Sequence, residues 1–184
     1  MKTLTAVILL CLLSSPARAI QWHMDPDSSR LMFEASYQGE PVPGEFRHFQ
    51  ARLTLDPRRT DNAELDVRVD MQSTDLGSSE LDEGAATAEW LDITRYPQAE
   101  FHSQQIRQVD ETQYIATGTL SLKGVERKIE LPFRFQEEGQ VALMSGEALM
   151  QRSWFNIGTG EWSTDEFIGF DVTLSFEVKW QREH

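Results

Sequence analysis

In Lys128-Ile129-Glu130-Leu131-Pro132-Phe133-Arg134-Phe135 every odd position is apolar, and every even one is charged or proline. A repeat of two is that of a β-strand, whose successive side chains point to opposite faces, so this stretch predicts a strand with one buried side. The same alternation runs through Leu31 to Tyr37, Asp66 to Met71, and Val172 to Lys179. Weaker versions cover 42–55, 98–109, 112–122 and 140–151. Residues suited to tight turns stand between the runs, at Gln38-Gly39-Glu40-Pro41, Asp56-Pro57, Lys123-Gly124 and Glu138-Gly139. Pro132 has no N–H to give to a ladder and so predicts a bulge or a gap in pairing.

One segment departs from this rhythm. Leu81, Ala85, Ala88 and Leu91 fall at helical spacing, and Ser79 with Asp82 resembles a capping box. A helix is expected over 79–91, ended by Tyr96-Pro97. Eight strands with one apolar face suit a closed barrel or a sandwich, and their number favours the barrel. The expected fold is all-β: an eight-stranded antiparallel up-and-down β-barrel with one inserted α-helix.

The first 19 residues stand apart. Lys2, the apolar run Ala6 to Leu13 and the small-x-small ending Ala17-Arg18-Ala19 have the layout of a signal peptide cleaved after Ala19. The run is far short of the ~20 apolar residues that a membrane-crossing helix needs, so stable membrane insertion is not expected. Residues 20–184 then form one domain in the periplasm. Cys11 is the only cysteine and leaves with the leader, which excludes disulfides and thiolate metal sites from the remainder. Without Lys2 and Arg18 the chain carries 15 basic against 30 acidic residues. Such an acidic surface opposes binding to nucleic acid.

Two stretches are more specific than any pattern. Trp90-Leu91-Asp92-Ile93-Thr94-Arg95-Tyr96-Pro97-Gln98-Ala99-Glu100-Phe101 resembles the signature FFDxxxYPxxxF of the YceI-like family of bacterial periplasmic proteins. Gly118 to Lys128, followed by Leu131-Pro132, is similar to that family's GxLxLxGVxRxxxLP hairpin. Trp22, Ser29 and Phe33, the Val42-x-Gly44-x-Phe46 segment, and Arg152-Ser153-Trp154-Phe155 at an RxxFG position also fit in order. Trp90 and Leu91 replace two phenylalanines, and Asn156-Ile157-Gly158 displaces the glycine expected after Phe155. The resemblance implies a lipocalin-like barrel around a long tunnel that holds a polyprenyl chain or an isoprenoid quinone such as ubiquinone. It implies no catalytic residues, and the protein is not expected to be an enzyme.

The alternation independently offers an inward set that is apolar throughout. Phe33, Tyr37, Phe46 and Phe49 come from the first strands, Val69 and Phe101 from the middle. Leu131, Phe133, Phe135, Met150 and Phe176 come from the last ones, with Leu143 also expected inside. Trp154, Phe155 and Trp162 are candidates for the barrel mouth, and with the helix they would form the entrance. Arg95, Lys123, Arg127, Lys128 and Arg152 are the bases available to an anionic head group, but the overall charge favours a neutral one.

Other chemistry finds little support. No two of His23, His48, His102 and His184 stand at helical i, i+4 spacing, and no carboxylates can be assigned to them from sequence, so no metal site is expected. His23, beside Trp22, is a candidate for orienting a head group. Gly158-Thr159-Gly160-Glu161 lacks the lysine of a phosphate loop, and no serine sits in a G-x-S-x-G elbow. The expected protein is therefore a periplasmic carrier, store or scavenger of an isoprenoid lipid. The alternatives are an accessory of membrane electron transfer that presents a quinone to an inner-membrane partner, and an enzyme built on the barrel. The reading leaves room for a homodimer.

Overall fold

The computed structural model describes residues 20–183; the expected leader, 1–19, lies outside the described residues. The strands are β1 (Gln21–Tyr37), β2 (Glu40–Phe46), β3 (Phe49–Asp56), β4 (Arg59–Asp70) and β5 (Thr74–Asp75). After helix α1 (Ser79–Ala86) come β6 (Gln98–Gln108), β7 (Gln113–Leu122), β8 (Val125–Glu138), β9 (Val141–Gln151) and β10 (Asp171–Arg182). The turns form where their residues direct. A type I′ hairpin turn needs positive φ at both central positions, and Gln38-Gly39 (φ 52° and 84°) and Lys123-Gly124 (φ 48° and 73°) supply it.

The ladders join β1, β3, β4, β6, β7, β8, β9 and β10 in order, and β10 returns to β1, from Trp22 opposite Arg182 to Glu34 opposite Thr173. That is the expected eight-stranded barrel. β2 and β5 are additions at its edge. The single strand expected over 42–55 is broken at Arg47-His48. The Arg47 and His48 amides donate instead to Ser73 O and Oγ, on the 3-10 turn Met71–Ser73 (3.1 and 2.9 Å).

The helix is shorter than its spacing predicts. Ser78, one residue before the expected start, caps it by accepting from the Leu81 amide at 3.3 Å, and the helix ends at Ala86. No side chain in α1 is buried, so nothing rewards further helical turns. The chain instead folds back through turns, setting Leu91 and Ile93 against the core. Pro132 behaves as expected. β8 stays in register with β7 across it, but its ladder to β9 stops at Phe133.

One end of the barrel is solid. Trp22, Leu53, Leu55, Tyr114, Met144 and Trp180 are fully enclosed there. Trp22 meets Phe135 edge-on at 5.3 Å and donates its Nε1 to Leu55 O at 3.0 Å, while Tyr114 stacks on Phe133 at 5.4 Å. A bulge in β6 is sealed by Ser103, whose buried Oγ accepts from the Leu65 amide at 2.7 Å. Phe133 and Phe135, expected to contact a ligand, belong to this floor.

Trp180 Nε1 is buried without a hydrogen-bond partner among the described residues. Trp180→Ala should lower stability by about 3–5 kcal/mol through loss of packing. Trp180→Phe should cost no more than about 1.5 kcal/mol, because it also removes an unsatisfied donor. Urea unfolding followed by circular dichroism measures both.

Candidate binding lumen

Above the floor the interior is apolar but not filled. Phe33, Phe46, Phe49, Val67, Leu120, Ile129, Met150 and Leu174 stand on inward strand positions yet remain only half-buried. An inward side chain that keeps accessible surface faces unfilled space, so the upper barrel has a lumen. Val69, Phe101, Leu131 and Phe176 complete its wall, more deeply buried. Two inward expectations are corrected. Tyr37 is 47% exposed, because β1 has already reached the turn at Gln38-Gly39. Leu143 lies on the outer face of β9, one residue out of phase with buried Ala142 and Met144.

Three glycines, which apolar alternation does not mark, shape this wall. A Cβ on Gly44 would lie 2.3 Å from the Phe33 ring, one on Gly118 2.8 Å from the Phe101 ring, and one on Gly146 2.5 Å from the Phe176 ring. Each ring lies over the backbone of a neighbouring strand, in the space a side chain would take. The available signal was a lone glycine inside an alternating run, which marks a close approach.

The lumen is topped by a cap made from 87–96 and the 152–170 loop. Arg152 organises it. Its guanidinium donates to the carbonyls of Gly169, Ile157, Gly158, Thr164 and Ile168, at 2.6–3.2 Å. Its cation also lies over the rings of Phe170 (5.0 Å) and Trp90 (5.6 Å). Burial lowers its pKa and Asp165 opposes the shift; guanidinium is so strongly basic that it stays charged. Asn156, in the left-handed region at φ 55°, makes the bend that the displaced glycine would have made.

Glu89 O ties the two halves of the cap together, accepting from the amides of Gly158 (2.8 Å) and Thr159 (3.1 Å). Lys123 donates to Asn156 O (2.7 Å) and Glu89 O (3.3 Å), and burial lowers its pKa against the pull of Asp92 and Glu89. Trp162 packs on Trp90 with centroids 5.8 Å apart. Phe155 is fully buried, on the 3-10 turn Arg152–Phe155 that packs against β8 and β9. Trp154 is 39% exposed, with its carbonyl accepting from Arg127 Nε at 3.2 Å, so its ring is not enclosed within the mouth as expected. Four of the five bases considered for an anionic head group are thus held at the cap, while Lys128 is exposed on β8. Arg152, Lys123 and Arg127 bond to carbonyls, and Arg95 lies over Tyr96.

The wall is also split at the side. β1 pairs with β3 only over Gln21–His23 and with β2 only from Met32. A cavity of about 700 Å³ lies beside this seam, lined by Met24 and Pro26 of β1, by Phe49, Ala51, Val67 and Phe101, and by the outward Gln50, Arg52, Asp66, Arg68, Glu100 and His102. On the outer face His102 Nδ1 bonds Asp66 Oδ1, with Glu64 close by. These are the carboxylates that sequence could not assign to a histidine. His23 also points outward, 3.5 Å from Glu183.

A floored antiparallel barrel with an apolar lumen and a folded cap defines a calyx protein. The chain belongs to the YceI-like family, whose domain model matches residues 22–180. A UPF0312 protein of Pectobacterium carotovorum is 29% identical over 143 residues, 75% of this chain and 74% of that one. The crystal structure of Burkholderia cenocepacia BcnA superposes with a TM-score of 0.83 at 28% identity, covering 85% of this chain and 98% of BcnA. A polyisoprenoid-binding domain from Saccharophagus degradans, implicated in plant cell wall breakdown, shares the fold with a TM-score of 0.71 at 13% identity, covering 88% and 98%.

Replacing Arg152 with Lys should open the cap, because one ammonium cannot serve five carbonyls. Chymotrypsin should then cut after Trp162 or Phe167 in the variant much faster than in the parent protein. The hydrogen bond that His102 donates to Asp66 raises the His102 pKa above its usual 6.5. Its contribution to stability is therefore full below the unfolded value and lost as pH rises through the raised one. A nuclear magnetic resonance titration should place the His102 midpoint above 6.5, and Asp66→Asn should bring it down.

Proposed function

We propose that this protein holds a long isoprenoid lipid in its lumen, tail inward, as a non-catalytic carrier or store in the periplasm. The observation that carries the proposal is the half-buried apolar interior above a solid floor. Water in such a space gains little from its walls, and an apolar chain that displaces it gains the full benefit of burial. Burying one CH₂ is worth about 0.8 kcal/mol, so each five-carbon isoprene unit contributes about 3–4 kcal/mol before ordering costs are taken off. The polyisoprenoid-binding relative supports the class of ligand. Export rests on the leader-like pattern of the first 19 residues.

The head group on this reading is neutral, such as a quinone or an alcohol. The formal net charge of −13 opposes an anion, and the bases of the cap are already bonded within it.

Affinity should climb with prenyl tail length until the lumen is full, which fluorescence competition with tails of one to eight isoprene units would show. Equal affinity for the shortest and longest tails would rule out burial in the lumen. In Gly44→Ala the new methyl group displaces the Phe33 ring, and if the ring swings inward the longer tails should bind about tenfold more weakly.

A further inference from the structure

We infer that the side seam between β1 and β3, not the cap, is where the lipid enters and where its head group rests. The inference rests on the reading of the lumen as a lipid site and adds to it a second, polar subsite.

The seam is built on both rims. On β1 the register to β10, on the strand's other edge, slips between Asp25 and Arg30, so Pro26 to Ser29 form a bulge. Ser29 Oγ donates to Asp25 O at 2.6 Å and accepts from the Lys179 amide at 3.1 Å, and Asp25 Oδ1 accepts from the Asp27 amide at 3.2 Å. Pro26 has no N–H with which to close the gap. On the opposite rim the amides of Arg47 and His48 are taken by Ser73. The Arg47 and His48 amides and the Asp25 carbonyl are therefore committed elsewhere.

The cavity at this gap has two chemistries. Phe49, Ala51, Val67 and Phe101 face inward and continue the lumen wall, while Gln50 and Arg52 are exposed on the outside. Among the outer charges Arg68 pairs with Glu100 (2.8 Å) and His102 with Asp66. Arg52, on the last β1–β3 rung opposite His23, has no such partner among the described residues. It is a free hydrogen-bond donor at the point where an apolar passage meets water. That arrangement suits an amphiphile whose tail lies in the lumen and whose head offers a carbonyl or hydroxyl oxygen to Arg52 and Gln50. The cap offers no equivalent, since Arg152 and Lys123 already bond to carbonyls.

The test uses a prenylated benzoquinone and the matched prenyl hydrocarbon that lacks the ring. Arg52→Leu should weaken binding of the quinone about tenfold and leave the hydrocarbon unchanged. Ala51→Trp, which narrows the passage, should slow association of both probes. A quinone carrying a photoreactive group on its ring should label Pro26 to Ser29 or Gln50 to Arg52 in the unaltered protein, which needs no variant to fold. Labelling of the 152–162 loop instead, or equal effects of Arg52→Leu on both probes, would overturn the inference while leaving lipid binding intact. Failure of the unaltered protein to bind the hydrocarbon would remove the lumen reading itself, and this inference with it.

Discussion

Closing a sheet into a barrel makes its first strand answer to neighbours on both sides, and here β1 cannot answer equally. It is laddered to β10 at both ends of their contact, but on its other edge it must serve β3 at its beginning and β2 at its end. Among the described residues, the stretch between has no ladder partner on that edge. The floor end, where β1 meets β3, is continuous and solid. Towards the other end the wall parts at β1, and again between β8 and β9 beyond Pro132. A barrel continuous at one end and parted at the other becomes a cup.

The cap depends on a second device of a different kind. A loop between Gln151 and Asp171 that covers an apolar space turns carbonyls away from water, and unpaired carbonyls there are costly. Arg152 answers five of them with one planar group that stays charged while buried. Glycine at 158 (φ 75°) is required by the same arrangement, since a Cβ there would meet the guanidinium at 2.1 Å. The RxxF pattern seen in the sequence is thus the trace of a folding element, and its arginine is occupied with protein atoms.

Much of the barrel was legible because alternation reports which face of a strand is buried. What alternation does not report is height along the axis. Phe135 and Phe33 have the same pattern, yet one lies in the floor and the other beside the lumen. Tyr37 failed because its strand ran past the rim, and Leu143 because β9 offers small residues inside, with Ala142, Gly146 and Ala148 on the inward face and leucines outside. The pair of Asp66 with His102, 36 residues apart, depends on the register between β4 and β6. No local pattern carries that information. The side seam was equally hidden, although Pro26 and the polar run after it interrupt the alternation that resumes at Leu31.

The rings of Phe33, Phe101 and Phe176 rest over glycine backbone, and so lie lower against the wall than they could over a side chain. A flexible hydrocarbon against such a lining finds few notches to lock into. It can slide and twist at little cost, and keeps some of the torsional freedom that a tightly moulded pocket would remove. Such a container discriminates by how much grease it encloses more than by where the double bonds fall.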